Sequence, residues 1–331
     1  MFLSIVIPHY NLPQEMLERC LRSILALGIP DNEYEIIVVD DGSDKLPTWV
    51  LSLSNRITLT RTPHRGPGGA RNQGIREAQG EYVMFADADD YLLNNGQITE
   101  CLAKLKTERP HILRYRYIVR EEGQPIYTPK RRRVRFGNTI SGAAFVERNN
   151  LSGSSWTFFF QRELATRKGI EFPENIFHED EEFNTIIHYH AQTLVESNAV
   201  LYCYSIRNGS TTSNSSKEFE QKRIGNLLKI IERLSHFSDE NSASCNTVQR
   251  RAITHKLDML AVDAILNMMY AGMGAREITG TCRESLSPLS LYPLRKASYS
   301  IKYFIFRLLA NNKAGMLLLR LILPKHKPAK R

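Results

Sequence analysis

The sequence predicts an α/β fold in which a mostly parallel sheet is flanked by helices and followed by an α-helical C-terminal extension. Short apolar runs alternate with amphipathic stretches over the first 95 residues, which is typical of a parallel sheet with helical crossovers. Several of these runs end in polar clusters. After residue 216 the sequence predicts two long helices, at about 218–234 and 247–273.

The strands and helices of the N-terminal half follow in regular order. A strand at 3–7 ends at Pro8, and a helix closes before Gly28 and Pro30. This helix is predicted from one apolar stripe at helical spacing, formed by Leu17, Cys20, Leu21, Ile24 and Leu25. Crossovers of this length imply parallel strands. The other predicted elements are strands at 35–39, 57–60 and 82–86 and a helix from residue 66 to about residue 78.

Composition indicates a globular protein of one large domain or two ordinary ones. The 331 residues are 42% hydrophobic and 24% charged, which excludes a disordered chain. The five cysteines are an odd number without a Cys-x-x-Cys pair, which argues against a disulfide framework and a zinc site and favours a reducing compartment. The apolar start lacks a basic leader and stops at Pro8, so we expect a strand there and not a signal peptide.

The net charge of +9 comes from one segment of the chain. Residues 295–331 contain ten Lys and Arg and no acid, and the remainder is therefore near neutral. Basicity confined to one segment weakens the case for a nucleic-acid binder, and we expect no nucleic-acid partner.

An acidic cluster follows the buried strand at 82–86. Asp87, Asp89 and Asp90 lie within four positions, where each charge loses water and repels its neighbours. A divalent cation would offset that cost, and Asp87 and Asp89 project to one side of an extended chain and can share an ion. The alternative is an acidic turn whose side chains bond nearby backbone.

Three polar clusters come directly after predicted parallel strands. They are residues 8–11, 40–43 and 87–90. Ligands of such sheets bind beyond the carboxyl ends of the strands. We therefore expect the three clusters to converge on one edge of the sheet.

Four motifs in register resemble the family-2 glycosyltransferases of GT-A fold, bacterial surface-polysaccharide type. They are residues 4–11 (SIVIPHYN), 39–43 (VDDGS), 68–75 (GGARNQGI) and 87–92 (DADDYL). The resemblance is tight over the first 95 residues, and a looser block follows at 172–184. It implies inverting transfer of a sugar from a nucleotide diphosphate donor, assisted by Mn²⁺ or Mg²⁺.

The resemblance also implies a role for individual residues on the donor side. Asp87 would face the ribose and the metal, and Asp89 would be the main metal ligand. Glycines permit the diphosphate to approach closely at a helix start, where free N–H groups favour anions. The alternative for the glycines is a plain turn, and the alternative for Arg71 is a surface salt bridge. The other donor contacts would be Pro8, Tyr10 and Asn11 around the base, Asp40 or Asp41 on the uracil or ribose, and Gly69 and Arg71 near the diphosphate.

The block at 172–184 resembles the segment that supplies the catalytic base in this family. By position the base is Asp180, with Glu179 as its neighbour, and crowded acids raise one another's pKa, which suits a base. The alternative is that these acids only complement a helix N-terminus. His178 could reach the metal or the acceptor.

Two further residues have an open role. Trp156 is either a platform for an acceptor sugar or a core residue. Arg207 lies in a Tyr-x-x-Arg-x-x-Ser pattern that members of the family often carry. The resemblance implies that Arg207 closes on the diphosphate or the cleft, and the alternative is a structural turn. The basic run at 130–135 would contact an anionic acceptor or lipid headgroup, or is a solvated loop.

The C-terminal tail is too charged to span a membrane. Residues 301–323 are apolar but interrupted by basic residues, of which Lys302, Lys313 and Arg320 fall on nearly one helical face. The tail, from about residue 295 to 331, is therefore predicted to be an interfacial helix on anionic lipid, or to pack on the protein itself. We expect a transferase domain at 1–215 and a helical region at 216–331.

The sequence thus predicts a cytoplasmic enzyme, peripheral on the inner face of the cell membrane. It would add one sugar, from a donor that the resemblance implies to be UDP-linked, to a glycan or lipid-linked acceptor. One alternative is a nucleotidyltransferase of related fold, although residues 8–11 lack its glycine-rich basic signature. Another is a non-catalytic binder of sugar nucleotides, which would give no reason for Asp180 beside a metal cluster.

Overall fold

A computed structural model describes residues 1–121, 123–129, 136–151, 153–207 and 216–322. The chain divides into two compact units, Met1–Ser213 and Asn214–Arg331. The basic run at 130–135 and the end of the tail from residue 323 lie outside the described residues.

The first unit is built on one mixed sheet. Its strand order is β3-β2-β1-β4-β8-β6-β9-β5, and β7 pairs with β9. The first four strands in this order are parallel, as predicted, whereas β8 runs antiparallel to both of its neighbours. The strands in the described residues are β1 (Leu3–His9), β2 (Tyr34–Asp40), β3 (Ile57–Arg61), β4 (Tyr82–Phe85), β5 (Tyr91–Leu92), β6 (Ile112–Glu121), β7 (Thr139–Ile140), β8 (Phe158–Gln161) and β9 (Leu194–Ile206).

Helices cover both faces of this sheet. The predicted stripe of α1 packs in one core with the odd-numbered apolar residues of β1, and all of its residues except the partly buried Leu25 are buried. On the opposite face, Val6 contacts Gly74 of α2 so closely that a Cβ on Gly74 would lie 2.1 Å from Val6 Cγ1. The helices of this unit are α1 (Gln14–Leu25), α2 (Gly66–Glu77), α3 (Gln97–Glu108), α4 (Gly142–Arg148), α5 (Arg162–Lys168) and α6 (Glu179–His190).

The strand register aligns the predicted polar clusters. His9, the last residue of β1, pairs with Asp40 at the end of β2, and Asp40 pairs with Arg61 at the end of β3. Because β4 is parallel to β1, the acidic residues that follow it leave the sheet at the same edge. The convergence expected from the sequence is therefore present.

The second unit is helical in its described residues. Its α-helices are α7 (Lys217–Glu240), α8 (Thr247–Tyr270), α9 (Ala275–Thr281), α10 (Ile301–Ala310) and α11 (Lys313–Ile322). Asp258 of α8 is buried and holds the segment before α10, because it accepts from Tyr299 Oη at 2.7 Å and pairs with Arg295 at 2.9 Å.

The tail differs from the single helix that the sequence predicts. It forms two helices, because Asn311 bonds both backbone groups of Leu294 and Asn312 accepts from the Gly315 N–H near the start of α11. Arg320 donates to the carbonyls of Met269 and Gly272 and does not share an outer face with Lys302 and Lys313. Among the described residues, no helix is both long and apolar enough to cross a bilayer.

Candidate active site

The loops after β1 and β2 are tied together by hydrogen bonds. Asn11 donates its backbone N–H to Ser43 Oγ at 2.9 Å, and its side-chain oxygen accepts from the Asp44 N–H at 3.0 Å. Asn11 has a φ of 44°, a left-handed conformation that asparagine tolerates better than most residues. The predicted base-pocket residues Tyr10 and Asn11 therefore belong to two loops that are held together, and Pro8 lies just before them, near the end of β1.

Tyr10 presents an aromatic surface beside a carboxylate. Its ring is 44% exposed and stacks on His64 with centroids 4.2 Å apart. His64 Nδ1 lies 2.9 Å from Asp41 Oδ2, and the other oxygen of Asp41 accepts from the Arg65 N–H. Burial raises the pKa of Asp41, although these partners oppose the shift. His64 follows β3 in the sequence near this edge, but only the fold places its ring against Tyr10.

Asp40 is completely buried at the end of β2. Its Oδ2 accepts from the Ser43 N–H at 3.1 Å and lies 3.6 Å from Arg61 Nε. Its Oδ1 is buried without a hydrogen-bond partner among the described residues. A buried acceptor without a partner is costly, so this oxygen is suited to receive an N–H from a ligand.

The glycines at the start of α2 permit close packing of chain on chain. A Cβ on Gly68 would lie 2.7 Å from the Pro173 carbonyl, and one on Gly69 would lie 2.5 Å from Arg65 Cβ. Small residues are therefore required at these two positions, as predicted, but the atoms that require them belong to the protein and not to a ligand. A contact of Gly69 with diphosphate therefore stays a prediction.

Arg71 joins two acids that are distant in sequence. Its guanidinium is 2.9 Å from Asp87 Oδ1 and 2.9 Å from Glu179 Oε1, and it packs between Phe85 and Phe172. Burial would lower the pKa of Arg71, but the two carboxylates outweigh it and raise that pKa. Arg71 is only 7% exposed, so these two ion pairs are buried. The alternative of a surface salt bridge is therefore wrong.

Glu179 and Asp180 occupy different surroundings although they are adjacent. Glu179 is bound to Arg71, whereas Asp180 lies under the backbone of Gly153, where a Cβ would be 2.6 Å from Asp180 Oδ1. Burial, with Glu179 and Glu181 nearby, raises the pKa of Asp180 well above its ordinary value. Of the two, Asp180 is therefore the carboxylate better suited to accept a proton.

Asp87 and Asp89 both face arginines. Asp87 bonds Arg71, and Asp89 Oδ2 lies 2.8 Å from Arg207 Nε. Burial, and then Asp89, raises the pKa of Asp87 although Arg71 lowers it. In the described part of the chain, no three His, Cys, Asp or Glu residues are arranged to hold a metal by themselves. Two carboxylates still fit Mg²⁺ or Mn²⁺, because such ions take further oxygen ligands from substrate phosphates.

Tyr202 positions the acidic loop and was not found from the sequence. Its hydroxyl accepts from the Asp87 N–H at 2.9 Å and donates to Asp90 Oδ2 at 2.8 Å. The other oxygen of Asp90 accepts from the Ser205 N–H. Burial, and then Asp87, raises the pKa of Asp90. The acidic loop is therefore fixed by β9, which the sequence alone does not place beside it.

The two acceptor-side predictions have different outcomes. Trp156 is 7% exposed and stacks on Tyr202 and Tyr204, with Tyr117 against its edge, so it is the core residue and not a sugar platform. His178 directly precedes α6 with a φ of 68°, and its contact with a metal or acceptor stays a prediction.

Comparison with known proteins identifies the family to which the chain belongs. The model of the family described as glycosyl transferase family 2 matches residues 4–169. A relative, the poly(ribitol-phosphate) beta-glucosyltransferase of Bacillus spizizenii, is 41% identical over 98 residues, which are 28% of this chain and 15% of that protein. The chain therefore spans far less than two thirds of that relative.

Solved structures confirm the predicted GT-A fold. S. aureus TarS 1-349 in complex with UDP-GlcNAc superposes with a TM-score of 0.57 at 19% identity, over 91% of this chain and 95% of that one. The mannosyltransferase PcManGT from Pyrobaculum calidifontis in complex with GDP-Man and Mn²⁺ has a TM-score of 0.57 at 16% identity, over 97% and 87%. At these identities the likeness concerns the fold. Since the family model covers half of the sequence, the chain belongs to glycosyl transferase family 2.

Proposed function

We propose that this protein transfers a sugar, with inversion, from a UDP-linked donor to a hydroxyl of a glycan or lipid-linked acceptor in the synthesis of a cell-surface polysaccharide. The observation that supports this most is the bridge that Arg71 makes between Asp87 and Glu179. It holds the donor-side acids and the segment containing Asp180 at one edge of the sheet. A donor and an acceptor bound there would meet between them.

The nucleoside end of the donor fits the loops after β1 and β2. The exposed ring of Tyr10 offers a stacking surface for a base, and Asp40 Oδ1 offers a buried acceptor for an N–H such as that of uracil N3. These two groups lie on loops that Asn11 holds together. Asp41, already bonded to His64 and Arg65, is better placed to support the pocket than to bind the ligand.

Asp180 is the proposed base. As the acceptor hydroxyl attacks the anomeric carbon, Asp180 takes its proton, the new C–O bond forms, and the bond to the diphosphate breaks with the electron pair leaving on the nucleoside diphosphate. Glu179 is bound to Arg71, so we propose it as a positioning residue. Asp87 and Asp89 would hold a divalent cation, which when bound offsets the charge that develops on the leaving group.

The comparisons support the donor class. The TarS structure contains UDP-GlcNAc and the PcManGT structure contains GDP-Man with Mn²⁺. The Bacillus relative is named as a poly(ribitol-phosphate) beta-glucosyltransferase, and we propose by analogy that the acceptor of this protein also carries phosphate. Family membership favours transfer over the nucleotidyltransferase and non-catalytic alternatives. A donor screen would show whether the transferred sugar is a hexose or an N-acetylhexosamine.

We assign the protein to the cytoplasmic face of the membrane because of its last two helices. Eight of the thirteen exposed large hydrophobic residues in the described part of the chain lie on α10 and α11. After Glu284 the sequence has no acid and ten basic residues. Apolar side chains beside cations are suited to an anionic lipid surface. The eight exposed hydrophobic residues of α10 and α11 are Ile301, Phe304, Ile305, Leu308, Leu317, Leu318, Leu321 and Ile322.

The experiment is a screen of UDP-sugars for release of UDP with Mn²⁺ and membrane lipids, followed by Asp180→Asn. We expect the variant to lose transfer by about 10²- to 10⁴-fold while it still binds UDP. Glu181→Gln is the matched control, because its amide oxygen can still accept from the Gly153 N–H and the residue neighbours Asp180. Loss of UDP binding in Asp180→Asn, or full transfer, would contradict the assigned base.

A further inference from the structure

Asp89 carries an ion pair on the carboxylate that would bind the cation. Arg207 Nε lies 2.8 Å from Asp89 Oδ2, and both side chains are about one-quarter exposed. Arg207 directly follows β9, which ends at Ile206. The pair therefore joins the acidic loop to the end of the strand that supports it.

A second arginine approaches the same residue in a different way. Arg19 of α1 donates to the backbone carbonyl of Asp89, lies 3.5 Å from Ser205 Oγ, and covers the ring of Tyr91. Arg19 thus holds the loop without engaging the carboxylate. The two residues bring similar charge to Asp89, but only Arg207 takes one of its side-chain oxygens.

From this geometry we propose that Arg207 and the divalent cation compete for the carboxylate of Asp89, so that the cation binds weakly until the diphosphate arrives. A dication on Asp89 would stand beside the guanidinium and repel it. Release of Arg207 frees Asp89 for the cation, and the diphosphate then supplies both a partner for the arginine and oxygens for the ion. Cation and nucleotide binding are coupled in consequence.

This proposal rests on the proposed function for the identity of the two ligands, but its test does not measure transfer. Mn²⁺ is titrated into the nucleotide-free full-length protein, and the signal of unbound Mn²⁺ is followed by electron paramagnetic resonance. For Arg207→Gln we expect Mn²⁺ affinity to rise about three- to tenfold, as expected for loss of a competing, partly exposed ion pair. Arg207→Lys, which keeps the charge, should lie close to the unsubstituted protein.

Arg19→Gln is the matched control and should change Mn²⁺ affinity by less than about twofold, because it removes a nearby charge without freeing the carboxylate. With saturating UDP the advantage of Arg207→Gln should disappear or reverse. The proposal is overturned if Arg207→Gln binds Mn²⁺ no more tightly than the unsubstituted protein, or if Arg19→Gln gains as much. Thermal unfolding checks that each variant is folded. A protein that showed the expected exchange but transferred no sugar would retain this inference and lose the proposed function.

Discussion

The Arg71 guanidinium lies 2.9 Å from a carboxylate oxygen of Glu179, although the two residues are 108 positions apart. The other terminal nitrogen of Arg71 bonds Asp87. One buried cation therefore compensates an acid of the donor-side loop and an acid of the segment that contains Asp180. This pairing permits several carboxylates to lie together in a largely dry place.

Arg71→Met should destabilise the protein by about 3–5 kcal/mol, because it leaves two buried acids without their cation. Urea unfolding measures this change. Arg76→Met is the matched control on the same helix, since Arg76 forms an exposed pair with Glu171 that is worth about 0–1 kcal/mol. Equal losses in the two variants would show that the buried bridge has no special role.

Tyr202→Phe should weaken binding of Mn²⁺ and UDP while the ring still stacks on Trp156. The lost hydroxyl leaves the Asp87 N–H and Asp90 without their shared partner, at a cost of about 1–3 kcal/mol. The measurement is calorimetric titration of Mn²⁺ with UDP. Tyr115→Phe, which removes another buried hydroxyl bonded to the Trp156 carbonyl, should lower stability but leave binding unchanged. If both variants bind alike, Tyr202 only supports the core.

Asp180→Asn should be more stable than the unsubstituted protein at pH 7.5. The folded state raises the pKa of Asp180 above 3.8 and so favours the protonated form, and stability present below that value is lost as pH rises through the raised pKa. The variant avoids this loss, so we expect its Tm to be a few degrees higher at pH 7.5 and the gap to close towards pH 4. A gap that does not change with pH would contradict the raised pKa.

The same shift predicts the acidic limb of the pH profile. As the proposed base, Asp180 must be unprotonated, so we expect kcat/KM to fall as pH decreases through a pKa well above that of an ordinary aspartate. Steady-state rates with the donor from the screen measure this limb. The Glu181→Gln control should shift the limb to lower pH, because Glu181 is one of the charges that raise the pKa of Asp180.

Polar substitution of Phe304 and Ile305 should reduce cosedimentation with vesicles of phosphatidylglycerol and phosphatidylcholine. Both side chains are about half exposed, and each contributes apolar surface to the proposed contact. Leu51→Ser is the control, because Leu51 is equally exposed on the first unit. Point changes are preferable to truncation near Pro293, which would remove Arg295 and Tyr299 from buried Asp258. Undiminished sedimentation would contradict the lipid contact.

Replacement of Lys302 tests the electrostatic part of the same contact. Lys302→Gln should weaken binding about fivefold on anionic vesicles and hardly at all on phosphatidylcholine alone, because each basic residue near an anionic surface contributes about 1 kcal/mol. Arg320→Gln should instead lower stability, since Arg320 bonds carbonyls at the end of α8. Equal effects of Lys302→Gln on both kinds of vesicle would show that charge is not involved.

Local patterns were sufficient to predict much of the first unit. Four of the five residues in the apolar stripe of α1 are buried, and the strands before the polar clusters are parallel and end at one edge. These features follow from side-chain periodicity and from short crossovers, which act within a few tens of residues. The short strand β7 has no such local signal, because its two residues are too few to show a period.

The remaining features depend on contacts between distant segments. Tyr202 reaches Asp90 only because β9 pairs with β5, and nothing in the alternation of β9 identifies that neighbour. The bridge from Arg71 to Glu179 likewise needs α2 to pack on the segment before α6. The break between α10 and α11 had a local signal that was overlooked, since Asn311 and Asn312 are adjacent residues of the type that caps helices.

The hydrogen bonds of Asn11 to Ser43 and Asp44 have a consequence for how a nucleoside would be received. Two loops that are fastened during folding lose little further conformational freedom when a ligand enters between them. Binding energy from the base would then be retained as affinity. The reorganisation that accompanies donor binding would fall mainly on the diphosphate end, where Arg207 would exchange partners.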